Sequence, residues 1–290
     1  MQKPQELITS RQNPLVMLTA KLAERKYREA QGLFRFDGKK LFLEALLHHL
    51  PLVAVLLRES AVDAIVDAAG ALALPEGCRS VILPDSLFDR ISEEKSPEGV
   101  MCLSKRLDKI HKIITIDKWR EQKFSPSARV LFLESVRDPG NLGTIVRAAR
   151  AFGVDALVLS ADCADIYNPR VLRAAMGTLF HQHIFVTEDF VDAVRHFATH
   201  TRVFAATLGA RAVRLGQAAL CPGDAVVVGN EGHGLSHAVI EAATDRIYIP
   251  MEPGVESLNA GVAASVLLSV IILRCSNTRI KVVPRQLTSL

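Results

Sequence analysis

Residues 130–150 read VLFLESVRDPGNLGTIVRAAR, and the change of character along this stretch decides how the chain around it folds. Val130, Leu131, Phe132 and Leu133 form an apolar run with the length of a buried strand. Arg137-Asp138-Pro139-Gly140-Asn141-Leu142-Gly143 is rich in turn formers, and a helix is predicted from Thr144. A strand feeding a helix through such a loop brings backbone N–H groups and short polar side chains to the carboxyl edge of a sheet, where open α/β proteins bind ligands.

Downstream, the same alternation continues, with strands predicted at 155–160, 183–187, 202–207, 225–229 and 246–250 and helices at 169–177, 189–199, 235–242 and 257–273. VDALVLS and AVVVG are apolar on successive residues, which implies burial on both faces and a mainly parallel sheet with helices on each side. Upstream, residues 7–31 read as one helix opened by Asn13-Pro14, LFRFDG as a short strand, and residues 39–105 as alternating helices and strands. The expected organisation is a smaller α/β domain over 1–105, a basic linker over 106–128 and a larger α/β domain over 129–290.

With 290 residues, 49% hydrophobic and 23% charged, the chain can fill two cores. The N-terminus lacks the apolar segment of a secretion signal, no charge-free apolar run reaches the ~18 residues of a membrane span, and a cytoplasmic location is expected. Five scattered cysteines without a Cys-x-x-Cys pair point to free thiols and offer no zinc framework. The net charge of +4 is small but unevenly placed. Arg11, Lys21, Arg25, Lys26, Arg28, Arg35, Lys39 and Lys40 face only Glu24, Glu29 and Asp37, and a second basic group spans Arg106, Lys109, Lys112, Lys118, Arg120, Lys123 and Arg129. Such clusters suit phosphate contacts, and equally suit a solvated helix face.

Two further loops share the unusual composition of the first. Gly229-Asn230-Glu231-Gly232-His233-Gly234 follows the strand AVVV; it is neither a dinucleotide fingerprint nor a phosphate loop, since it has no Lys-Ser/Thr and Glu231 would repel phosphate. Its glycines allow close backbone approach to a flat group, and its residues also fit a plain tight loop. The stretch 249–264, IPMEPGVESLNAGVAA, leads from a strand into the last helix, with Ser257 expected as the N-cap and Asn259, an indifferent helix former, in the first turn. In the first loop Arg147 is expected one turn into its helix, on the side of Asn141 and Gly143.

Together these three motifs resemble those of the SpoU–TrmH family of ribose 2′-O-methyltransferases within the knotted methyltransferase superfamily. Asn141-x-Gly143-x-x-x-Arg147, Gly229-Asn230-Glu231-Gly232-x-Gly234-Leu235, and Ile249-Pro250-Met251 through Ser257-Leu258-Asn259-x-x-Val262-Ala263 occur in the family's order over some 160 residues. SRQNP, KLAERKYREAQGLFRFDG and SPEGV resemble the small RNA-binding domain that often precedes this catalytic domain, and NPRVLRAAMGTLF resembles a family segment that brings Arg170 and Arg173. The resemblance implies a deep trefoil knot in the larger sheet and S-adenosylmethionine as methyl donor. It places the cofactor near Gly229, Ile249, Leu258, Thr207, Leu208, Gly209, Asn230, Glu231, Gly234, Pro250, Met251 and Ala263.

By the same resemblance the catalytic residues are Arg147, Asn141, Ser257 and Asn259, with Arg147 meeting the ribose hydroxyl and its phosphate. No metal is required, and the family works as homodimers whose acceptor site draws on both chains. Arg11, Lys21, Arg25, Lys26, Arg28, Arg170 and Arg173 are the candidate RNA contacts. The extra N-terminal domain and its basic helix favour ribosomal RNA of the large subunit over transfer RNA. Two rival readings are an RNA-binding protein without catalysis and a metalloenzyme using His181, His183, His233 and His237. The second lacks a third ligand at a recognisable spacing from His181-x-His183.

Overall fold

The computed structural model describes residues 1–107, 110–111, 115–121, 124–209, 211–255 and 257–275. Its N-terminal part runs α1 (Pro14–Lys21), α2 (Arg25–Gln31), β1 (Leu33–Asp37), α3 (Lys39–Leu47), β2 (Leu52–Arg58), α4 (Val62–Ala69), β3 (Arg79–Leu83), α5 (Asp85–Ile91) and β4 (Val100–Lys105). The strands form a sheet of order β1-β4-β2-β3, antiparallel except for β2 with β3.

The single helix expected over 7–31 is two. Asn13 Oδ1 does accept from Leu15 N at 2.9 Å and Pro14 opens α1, but the chain turns extended at Glu24 and restarts as α2. The reason is Arg28. Its side chain is 2% exposed and its guanidinium donates to Leu22 O at 2.8 Å, occupying a carbonyl left over where α1 ends, and at 2.7 Å to Oδ2 of Asp165, far away in sequence. Arg35 is also buried and donates to Thr19 O and Ile91 O. Two members of the first basic cluster are therefore interior groups rather than surface charge.

The remaining elements are β5 (Ile110–His111), α6 (Ile116–Arg120), β6 (Val130–Leu133), α7 (Pro139–Ala151), β7 (Ala156–Ser160), α8 (Pro169–Ala175), β8 (His183–Thr187), α9 (Phe190–Ala198), β9 (Val203–Ala206), β10 (Val213–Arg214), β11 (Ala225–Val228), α10 (His237–Ala242), β12 (Asp245–Tyr248) and α11 (Ala260–Cys275). They build one sheet of order β10-β12-β9-β11-β6-β7-β8-β5 in which every described pair is parallel. β6, β7 and β11 are buried at every position, as their unbroken apolar runs require.

The stretch expected as linker is partly built into this sheet. β5 pairs with β8, and Trp119 of α6 is buried among Phe124, Phe132, Phe185 and Phe197 with its indole N–H donating to Ala193 O at 3.1 Å. The surrounding charge hid that anchor; Lys109, Lys112 and Lys123 lie outside the described residues. The two sheets share one apolar core: Phe34 packs on Tyr167 and Phe36 on Phe180, at ring separations of 4.6 and 5.4 Å. Among the described residues no helix is long and apolar enough to cross a membrane.

α7 and α8 pack without a gap because Gly143 has no side chain: a Cβ there would stand 2.6 Å from both Ala174 Cβ and Val171 O. Gly143→Ala is expected to cost about 1–3 kcal/mol of stability, read from a denaturant midpoint. Gly209→Ala, which would meet no atom within 4 Å, should change it by less than about 0.5 kcal/mol.

Candidate active site

β6 starts near the middle of the large sheet; the chain winds outward to β7 and β8, then crosses to the other side to build β9, β11 and β12. Loops that leave neighbouring strands at such a reversal part from one another and leave a crevice at the carboxyl edge. A cavity of about 410 Å³ occupies the carboxyl ends of β9, β11 and β12, closed by the start of α11. The volume suits a ligand of cofactor size.

Three segments form its wall. The first is Ala206, Thr207 and Leu208 after β9; the second is the glycine loop after β11; the third runs from Ile247 through Met251 to Ser257, Leu258, Ala260 and Ala263. Of the expected cofactor residues, Gly229, Asn230, Glu231, Gly234, Thr207, Leu208, Ile249, Met251, Leu258 and Ala263 line the cavity, whereas Gly209 and Pro250 do not. Sequence reasoning missed Ala206, Val228, Ile247, Tyr248, Ala260 and Leu267. All but Leu267, which lies two turns into α11, are strand-end or first-turn residues, and their pattern says only that they are apolar.

The glycine loop is folded tightly on itself. Asn230 N donates to Gly234 O at 3.2 Å and Gly234 N to Asn230 O at 2.9 Å, which brings Gly234 so near that a Cβ on Gly229 would meet its carbonyl carbon and oxygen at 2.5 Å. The Asn230 side chain holds the loop from inside and out: Oδ1 accepts from Gly232 N at 2.8 Å, and Nδ2 donates to Ser135 O at 2.9 Å in the loop after β6. Glu231 is the one charged residue on the cavity wall among the described residues. Such a wall, largely apolar with backbone polar groups, fits a flat heterocycle and a small net charge better than a phosphate.

The first motif departs from its expected placement. α7 begins at Pro139, not Thr144, because Asp138 Oδ1 caps it by accepting from Asn141 N at 2.7 Å. Asn141 and Arg147 are then six residues apart on a single helix, about 240° around its axis, so they point to different sides. Asn141 reaches the cavity wall through Glu231: its Nδ2 donates to the Glu231 carboxylate, and its Oδ1 accepts from Asn259 Nδ2 at 2.7 Å. Arg147 is exposed and lines a separate hollow of about 360 Å³ with Lys40, Arg150, Gly177 and Thr178. The structure thus gathers Asn141, Ser257 and Asn259 but not Arg147.

The third motif holds a second shift. α11 starts at Ala260, and its cap is Asn259 rather than Ser257, with Asn259 Oδ1 accepting from Gly261 N at 3.0 Å and Val262 N at 3.2 Å. An asparagine is required there because each end of its amide is used: the oxygen caps α11 while the nitrogen reaches Asn141. Ser257 is exposed and stands on the cavity wall.

A carboxylate that the sequence did not single out sets the loop after β6. Ser135, at φ 55°, donates through Oγ to Asp162 Oδ2 at 2.7 Å, Ser160 Oγ donates to Asp162 Oδ1 at 2.6 Å, and Arg137 donates to Oδ2 at 2.8 Å. Burial alone would raise the Asp162 pKa, but the bonds from Ser135, Ser160 and Arg137 outweigh it and hold the carboxyl down to about 2. With the folded value below the unfolded value of about 4, the ionised group favours the fold above pH about 4 and loses that effect as pH falls through about 2. The urea midpoints of the native chain and Asp162→Asn should therefore differ by a constant amount at neutral pH and converge in acid.

With this geometry in view, comparison with known proteins identifies the chain. Residues 128–269 match the model of the SpoU rRNA Methylase family, and residues 13–102 match the MRM3-like substrate binding domain. A tRNA/rRNA methyltransferase of Synechocystis, slr1673, is 32% identical over 268 residues, covering 90% of this chain and 91% of its relative. The chain belongs to the SpoU rRNA methylase family. Among SpoU relatives, the 23S rRNA (guanosine(2553)-2′-O)-methyltransferase RlmP of Bacillus subtilis is 29% identical, covering 90% of this chain and 97% of its own. A crystal structure of an RNA 2′-O ribose methyltransferase superimposes with a TM-score of 0.77 at 28% identity, covering 92% of this chain and 98% of its own. The AdoMet-bound rRNA methyltransferase of Sinorhizobium meliloti gives 0.76 at 25% identity, covering 92% and 97%. These matches run through both sheets, so the SpoU likeness extends over nearly the whole chain.

Proposed function

We propose that this chain methylates a ribose 2′-hydroxyl in large-subunit ribosomal RNA with S-adenosylmethionine as donor. The observation that carries the reading is the cavity of about 410 Å³ joined through Asn141 and Asn259 to a polar ledge at its rim. Its fit to the cofactor rests on the cleared backbone at Gly229 and on a wall whose one charge, among the described residues, is acidic, as a cationic donor favours.

When bound, the donor supplies an electrophilic methyl group on a sulfonium. The chain's own task is to hold the acceptor oxygen in line with it and to help remove the proton, because a ribose hydroxyl is a poor nucleophile at neutral pH. Asn141 and Asn259 are fixed by each other and by Glu231, so they can orient the ribose without reorganising; Ser257 lines the cavity and offers a hydroxyl beside them. Arg147 is to bind the acceptor phosphate and lower the cost of deprotonation. Because it turns away from its own chain's cavity, we place it at the acceptor site of a second copy. A homodimer joined through α7 and α11 meets this requirement, and Val262 is 49% exposed while Val266 and Val270 are half-buried on α11. Threading of the loops after β11 and β12 into a trefoil knot, and a cytoplasmic location, belong to the same reading.

The N-terminal unit, taken as residues 1–105, supplies RNA contacts. Lys21 and Lys26 stand 5.5 and 4.9 Å from the Tyr27 ring centre, an arrangement that offers a base a stacking face and its phosphates two cations. Arg11, Arg25 and Arg170 are exposed and extend this surface, whereas Arg173 is shared with Glu94, and Arg28 is withdrawn from it by burial. Asparagine and serine at the ledge remain catalytic candidates together with Arg147.

Arg147→Ala should lower methyl transfer by roughly 100-fold or more while calorimetric S-adenosylmethionine binding stays within about two-fold. Undiminished transfer overturns the role of Arg147, and absence of cofactor binding by the native chain overturns the function. Mapping of 2′-O-methyl groups in total RNA with and without the gene identifies the target. Lys21→Ala with Lys26→Ala should weaken RNA binding and reduce the salt slope by about one per lost contact.

A further inference from the structure

The hollow beside Arg147 holds a group of side chains that methyl transfer does not use. Glu44 lies in the last turn of α3 and His48 is the cap that follows it, four residues on, with the Glu44 carboxylate 3.5 Å from His48 Nε2. His181 comes from the other sheet's side of the molecule, at the end of the short 3-10 turn Thr178–His181, and its ring meets that of His48 edge-on with centroids 3.9 Å apart. One donor atom from each of the three residues falls within 4.8 Å of the others.

We propose that Glu44, His48 and His181 form a zinc site that clasps the N-terminal unit to the methyltransferase unit. The donor set is two imidazoles and a carboxylate, which suits Zn²⁺ and disfavours Mg²⁺ or Ca²⁺, whose ligands are oxygens. Tetrahedral zinc with bonds near 2.05 Å separates its ligand atoms by about 3.4 Å. The Glu44 to His48 spacing already matches, and the donor atom of His181 lies within 4.8 Å of both. Three protein ligands leave the fourth position to solvent, and the structural role assigned to the site rests on its ligands coming from both units, Glu44 and His48 from one and His181 from the other.

The backbone around it is shaped for this meeting. Met176, at φ 53°, and Gly177, at φ 86°, are two successive left-handed residues that turn the chain from α8 towards α3. A Cβ on Gly177 would press on Glu44 Cγ at 3.0 Å, so the glycine makes the room in which the carboxylate sits. His48 caps the carboxyl end of α3, where the unsatisfied carbonyls favour a cation. Lys40, Arg147 and Arg150 line the same hollow and oppose a divalent ion, and Glu44 is the carboxylate that offsets them there. The sequence pattern His181-x-His183 lacked a third ligand because the partners lie about 130 residues upstream.

The test uses the full chain stripped with a chelator and titrated with Zn²⁺ by calorimetry, with metal content measured after dialysis and Co²⁺ absorption as a reporter of tetrahedral coordination. One ion per chain is expected, with an upward shift of the melting temperature. His48→Gln and His181→Gln should each weaken binding by roughly 100-fold and abolish that shift, and Glu44→Gln should weaken it as well. Lys40→Ala should bind as tightly as the native chain or more tightly. No uptake at about 100 µM free Zn²⁺, or uptake unchanged in the double histidine variant, overturns the proposal. Because the readout is metal binding, either result leaves methyl transfer to be judged separately.

Discussion

The Asn141 side chain is the point through which the candidate site is held together. One end of its amide donates to Glu231 in the glycine loop, and the other accepts from Asn259 at the mouth of α11. Each partner is itself tied down: Asn259 caps α11, and the neighbouring Asn230 fastens the glycine loop to Ser135. Three loops leaving three different strands are thus joined by side-chain amides, whose donors and acceptors are used at both ends. In a partly desolvated site such a chain of bonds loses more than one bond when a member is removed, because the others are left unmatched.

Beneath that network lies the parallel sheet, and its reversal at β6 explains why the loops part at all. The packing around it is close enough that glycines decide local geometry. Gly143 lets α7 press on α8, and Gly229 lets the second loop close on Gly234. In both cases the glycine seen in a binding motif acts first on the protein's own backbone, and the ligand benefits from the space that results.

Most strands and helices were legible because apolar runs and turn residues bracket them; VLFL, ALVLS and AVVV occur as buried strands where they were expected. Ten of the cofactor residues implied by the motifs lie on the cavity wall for a related reason, since loop composition at strand ends is visible locally. What was not legible depends on distant partners. Asp138 starts α7 ahead of the predicted start at Thr144, and Asn259 takes the capping position expected for Ser257; local sequence fits either choice, and geometry alone settled it. Arg28 carries the same charge as its neighbours, yet Asp165, far away in sequence, draws it inside. The side of α7 on which Arg147 falls hinges on where that helix begins, so a shift of a few residues at its start moved the arginine away from the cavity.

Trp119 has a wider consequence. It is sunk into an aromatic nest under the large sheet, β5 is stitched to β8, and Leu107 N donates to the Tyr167 hydroxyl at 3.0 Å, so the stretch between the two units is fastened on both sides. Add the Arg28 to Asp165 pair and the stacking of Phe34 on Tyr167, and the smaller sheet has little freedom to swing. The molecule then behaves as a caliper with its jaws set. On the proposed function, the span from the N-terminal surface to the cavity would be fixed before any RNA arrives, and selection among RNAs would be a measurement of length before it is a reading of bases.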